Sequence, residues 1–123
     1  MENNIIYQKS VQFSIQLIES LKNLDSPEFK HQVHQLRRSG TAIGASIAEA
    51  DSAESLIDFI HKMKIADKEA NETMYWLKIL ENIIPEAINP LNESITEIKR
   101  ILRSILVTST NRLKTKQKSE KSK

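Results

Sequence analysis

Leu91, Ile95, Ile98, Leu102 and Ile105 recur at spacings of four, three, four and three residues. Among regular structures the α-helix puts that spacing on one side, so the run reads as a helix with a single apolar seam. The same beat passes through Phe29, Val33, Leu36, Gly40, Ile43 and Ile47. Breaks in the pattern divide the chain into four helices, over about residues 4–23, 28–50, 55–83 and 89–107. Asp25 or Ser26 is placed to cap the second helix, with Pro27 in its first turn and Glu28 at the capping-box spacing. Asp51 or Ser52 is placed to cap the third, which must stop before Pro85. Asn89-Pro90 supplies the same kind of start for the fourth. Short connections between long helices make them antiparallel neighbours, which predicts an all-α, up-down-up-down four-helix bundle over residues 1–108.

Composition narrows the possible chemistry. The 123 residues contain no Cys and two Gly. That excludes a disulfide scaffold, a Cys-based zinc site and a thiol nucleophile, and argues against Rossmann and P-loop folds, which use Gly at phosphate turns. No run approaches the length of a membrane span, and the opening MENNIIYQKS lacks a basic, apolar, cleavable leader. The expectation is a cytoplasmic protein with no membrane partner. The net charge of +2 is unevenly spread. Residues 109–123 carry Arg112, Lys114, Lys116, Lys118, Lys121 and Lys123 against Glu120, a charge of +5 that leaves −3 for the rest. Such a Lys- and Ser-rich segment reads as a disordered arm that either binds nucleic acid or an anionic surface, or only aids solubility.

Two glycines inside the second helix cost about 1 kcal/mol each relative to Ala. Gly40, Gly44 and Ala48 are four apart and share a face, so close packing of a neighbouring helix is the offset we expect, in preference to an anion site. Two helices carry a second apolar stripe: Val11, Ile15 and Ile18 on the first, and Ile65, Trp76, Ile79 and Ile83 on the third. A monomeric bundle buries one stripe per helix, so the second marks a self-association surface, the alternative being a broad core at the bundle corners.

The candidates for chemistry are few. Glu28-x-x-His31 and Asp58-x-x-His61 resemble halves of a di-iron carboxylate site, but antiparallel helices place them on the order of 25–30 Å apart. His31 and His34 lack an evident third ligand, and Glu69 and Glu72 read as solvated helix charge rather than an acid–base pair. No catalytic residue, metal or cofactor is expected. Arg37 and Arg38 point about 100° apart and could bind phosphate, form an inter-subunit ion pair with Glu49, Asp51 or Glu54, or be solvated.

The run Gln35-Leu36-Arg37-Arg38-Ser39-Gly40-Thr41-Ala42-Ile43-Gly44-Ala45-Ser46-Ile47-Ala48-Glu49-Ala50, followed by Asp58-Phe59-Ile60-His61 and Ile65-Ala66, resembles a family signature. The family is that of proteins named for reading frames inside intervening sequences of bacterial 23S rRNA genes. It often has Asn where Ser46 stands and Gly where Ala50 stands. The resemblance implies an antiparallel bundle assembled as a ring-like homopentamer, with an association with rRNA suggested by gene location. Distant relatives with the same bundle are nucleic-acid-binding accessory proteins of retroelement reverse transcriptases; those are strongly basic, whereas this body is acidic. The expectation is a non-enzymatic, self-associating bundle that contacts RNA through Arg37, Arg38 and the basic tail. The alternative is an oligomeric scaffold that docks a protein partner around Arg37, Glu49 and Trp76.

Overall fold

The computed structural model describes residues 2–24 and 26–122. Four helices make up almost all of it: α1 (Glu2–Leu21), α2 (Lys30–Asp51), α3 (Leu56–Glu81) and α4 (Pro85–Lys121). The helices pack in cyclic order, α1 on α2, α2 on α3, α3 on α4 and α4 back on α1.

The apolar seams meet at the centre. Phe13, Leu17 and Leu21 of α1, Val33, Leu36 and Ile43 of α2, Met63, Ala66 and Leu77 of α3, and Leu91, Ile98 and Leu102 of α4 belong to one buried cluster. Burying a Leu or Ile contributes about 1.5–3 kcal/mol each, which is the main force holding four separately marginal helices together. Cross-helix pairs fix the register. Arg38 meets Glu69 and Glu72 while Glu49 meets Lys62. Lys9 pairs with Glu97, and Gln16, further along α1, bonds to Pro90 and Ser94.

Helix boundaries differ from the sequence pattern where capping decides. α1 ends before Asn23, whose φ of 69° places it in the left-handed region that terminates helices. α2 opens two residues later than predicted, because Ser26 to Phe29 form a turn with Phe29 N–H donating to the Ser26 carbonyl. The proposed Asp25 cap lies outside the described residues. Asp51 and Ser52 do not cap α3: Asp51 still belongs to α2. Ser55 is the cap, its side chain accepting from the Asp58 N–H at 3.0 Å, while the Asp58 carboxylate accepts from the Glu54 N–H. Ser55-x-x-Asp58 has the spacing of a capping box, with the Asp58 carboxylate reaching the N–H one residue before the cap, so the Asp58 offered as half a metal motif is engaged at the start of the helix.

The largest departure is α4. It begins at Pro85 rather than after Asn89, with Pro85 in the first turn, where a missing N–H costs nothing, and Pro90 inside the helix. It then continues to Lys121, through the segment whose composition predicts a disordered arm. The seam runs on to a buried Ser109, and residues 110–121 contain neither Gly nor Pro to stop a helix already nucleated.

Gly40 and Gly44 both face α1 at close range. A methyl group on Gly40 would overlap Leu17 Cδ2, and one on Gly44 would sit 3.4 Å from Ser10 Cβ. Ala48 is exposed. A four-residue step turns about 40° past a full circle, so the stripe leaves the α1 contact by its third member. Gly44→Ala therefore gains helix propensity with only ordinary contact, and should raise unfolding free energy by about 0.5–1 kcal/mol. Gly40→Ala gains the same but must displace the buried Leu17, and should lose about 1 kcal/mol net. Urea unfolding of the two variants measures the contrast.

Candidate functional site

The most organised polar cluster lies between α2 and α3, and begins with Arg38. Its guanidinium forms an ion pair with Glu72, stands 3.7 Å from Glu69 Oε2, and donates from Nε to Gln35 Oε1 at 3.2 Å. The indole Nε1–H of Trp76, one turn beyond Glu72, donates to the same Glu72 oxygen at 3.1 Å. His31 meets the Trp76 ring edge-on with centroids 6.2 Å apart, and the Tyr75 ring lies 5.0 Å from it, also edge-on. Beneath them the Thr73 hydroxyl donates to the Glu69 carbonyl at 2.8 Å and lies 3.0 Å from the Ser39 hydroxyl, a buried link between the helices.

Charge follows from this geometry. The Trp76 donor, together with Arg38, holds the Glu72 carboxyl below its ordinary value. The hydrogen bond to Glu72 raises Arg38 in turn. One Glu69 oxygen is buried without a hydrogen bond, its compensation being Arg38 Nη1. Glu69 and Glu72 are thus fixed by a cation and an indole on a half-open helix face, instead of being the solvated charges the sequence suggested. Among the described residues, no three His, Asp or Glu side chains converge as a metal site.

The other predicted residues are dispersed. Arg37 is exposed on α2, whereas Arg38 is committed to its own chain and not to Glu49, Asp51 or Glu54. Glu49 pairs with Lys62, about 18 Å along α2 from Arg37, so Arg37, Glu49 and Trp76 do not form one compact patch. Val11, Ile15, Ile18 and Ile83 are exposed; Ile65, Trp76 and Ile79 are half-buried. The stripes are wider than the sequence reading had them: Tyr7 extends the one on α1, and Ile57 and Tyr75 extend that on α3. Among the described residues α1 and α3 are not neighbours in the cyclic order but stand across the bundle from one another, so the two stripes lie on different sides of it.

Arg112, Lys114, Lys116, Lys118 and Lys121 are all exposed on the last turns of α4, and Lys123 lies outside the described residues. Every side chain from Lys114 to Ser122 is exposed, so this part of the helix stands clear of the bundle. Arg112 and Lys116 line a groove with Leu56 at the start of α3, while Lys114, Lys118 and Lys121 face another way.

The model for the 23S rRNA-intervening sequence protein family matches residues 2–104. The chain is also similar to a solved protein of unknown function from the S23 ribosomal protein family of Bacteroides thetaiotaomicron VPI-5482. The identity is 40%, the TM-score 0.78, and the match covers 86% of this chain and 98% of that one. No curated protein matches.

The Arg38–Glu72–Trp76 unit has a testable pH signature. A carboxyl held below its ordinary value in the folded state contributes stability that is present above its unfolded pKa and lost as pH falls through the folded one. Arg38, raised, loses its contribution only in strong alkali. Stability should therefore fall on acidification through and below the ordinary glutamate range, and Glu72→Gln should flatten that fall. Trp76 is the one tryptophan, so its emission should shift in the same acid titration and lose that response in the variant.

Proposed function

The chain belongs to the 23S rRNA-intervening sequence protein family, and from that premise we propose that it is a non-enzymatic, cytoplasmic, self-associating bundle that contacts rRNA or another nucleic acid through its basic C-terminal helix. The observation that carries this reading is the exposed end of α4. It gathers most of the cationic excess of residues 109–123 on a helix that stands clear of a body of charge −3. Lysine and arginine concentrated in this way attract a phosphate backbone by counterion release.

The arrangement we propose is the up-down-up-down, antiparallel bundle. Its support is that contacts pair rising positions on one helix with falling positions on the next, as in Arg38 with Glu72 and Glu49 with Lys62. The exposed stripes on α1 and α3 favour head-to-tail association, in which one stripe of each subunit meets the other stripe of its neighbour and the chain of contacts closes as a ring. A pentameric ring would bring about +25 of tail charge together, and multivalency strengthens weak arms. The non-enzymatic part of the reading rests on Glu69 and Glu72, which are held by Arg38 and Trp76 and not poised in a cleft. No described helix is long and apolar enough to cross a membrane.

The second reading, an oligomeric scaffold for a protein partner, is favoured by the half-buried Trp76 with Tyr75 and His31 against it. Partner binding insensitive to salt and abolished by Trp76→Ala would support it.

Light scattering should give a mass that is a multiple of 14.1 kDa, and Ile15→Glu should reduce it to the single chain with helicity intact. Anisotropy of a labelled structured rRNA fragment should show binding that weakens steeply with salt, by about 0.9 in log K per log salt for each phosphate contact. A single-chain mass at micromolar concentration contradicts self-association; no binding near physiological salt contradicts the nucleic-acid reading.

A further inference from the structure

Because α4 is one helix, residues inside the bundle keep a fixed angular relation to those beyond it. At about 100° per residue, Arg100, Arg103, Lys114, Lys118 and Lys121 all fall within a sector of about 60°. All five are exposed, and none is in an ion pair among the described residues. The row is about 31 Å long at 1.5 Å per residue. Arg112 and Lys116 lie on nearly the opposite side, in the groove beside Leu56. Of the nearby acids, Glu97 is held by Lys9 at 2.8 Å and Glu120 falls outside the sector, while Glu93 shares a surface depression with Arg100 and offsets only the bundle end of the row.

We propose that this row is a contact face for the phosphate backbone of duplex RNA, bound along its length without reading of bases. The inference rests on the nucleic-acid reading above and specifies its partner and its residues. Two features select a duplex. First, α4 contains no aromatic residue, so the base stacking that holds single strands is not available along the row. Second, a contact made of charge alone favours the partner with the densest phosphates, and a double helix carries roughly twice the charge per unit length of one strand. A row held in one register by a continuous helix also matches a stiff partner, whereas a flexible arm would have no such preference. The row has one exposed apolar member, Val107, too little to insert into a lipid surface.

The test compares three double variants with the unaltered full chain: Lys114→Gln with Lys118→Gln, Arg100→Gln with Arg103→Gln, and Arg112→Gln with Lys116→Gln. Each removes two exposed charges. The probes are a labelled RNA duplex of about 16 base pairs, a single strand of the same length, and vesicles of phosphatidylserine and phosphatidylcholine, each across a salt series. The duplex should bind most tightly. The first two variants should each flatten its salt slope by about 2, and the third should do so by clearly less. If Arg112→Gln with Lys116→Gln matches Lys114→Gln with Lys118→Gln while the Arg100–Arg103 pair has no effect, the row is wrong and a flexible tail does the binding. Preference for the single strand or the vesicles overturns the duplex assignment. Absence of binding to either RNA overturns the nucleic-acid reading together with the row.

Discussion

The seam of α4 is the interaction on which the rest depends. Leu91, Ile95, Ile98, Leu102 and Ile105 are buried between α1 and α3, and both of those helices lean on it. An isolated helix of a dozen polar residues is marginal in water, because nucleation costs more than the first turns return. The segment after Thr108 avoids that cost. It extends a helix whose earlier turns are already held by burial, so each added residue needs only propagation. The helicity of the basic end is thus a consequence of the core, and the register of its charges is inherited from the core as well.

That coupling links packing to function. A disordered arm of the same composition would present its cations in every direction and at every spacing. A continuous helix presents them in fixed rows, with Lys114, Lys118 and Lys121 in line with Arg100 and Arg103 inside the bundle. The surface shared by α2 and α3 is organised differently. There Arg38, Glu69, Glu72 and Trp76 satisfy one another across α2 and α3, which fixes the relative height of the two helices and removes Arg38 from the cations open to a ligand.

Much of this was legible in the sequence. The three–four beat found the seams of α2 and α4, and the spacing of Gly40 and Gly44 found the close approach to α1. What escaped has a common origin. Arg38 and Glu72 are 34 positions apart, and their pairing depends on a helix register that no local pattern encodes. The disorder expected of residues 109–123 came from composition, which takes no account of a nucleus supplied by buried residues upstream. Arg100 and Arg103 were overlooked for the same reason, since they join the tail's row only if the helix does not break between them. The cap at Ser55 was missed in favour of Asp51 or Ser52, although a serine followed three residues later by an acid marks it.

Whether α4 remains one helix from the bundle to its basic end can be measured directly. The chain has no cysteine, so spin labels can be placed at Ser104→Cys and Gln117→Cys without interference. Pulsed electron resonance on protein diluted with unlabelled chain would then measure the distance between them. A continuous helix gives one narrow distribution near the helical rise of about 20 Å, broadened only by the label tethers. A broad distribution, insensitive to salt and unchanged by a Thr110→Pro substitution, would show that the helix ends at the bundle and that its basic end has no fixed register.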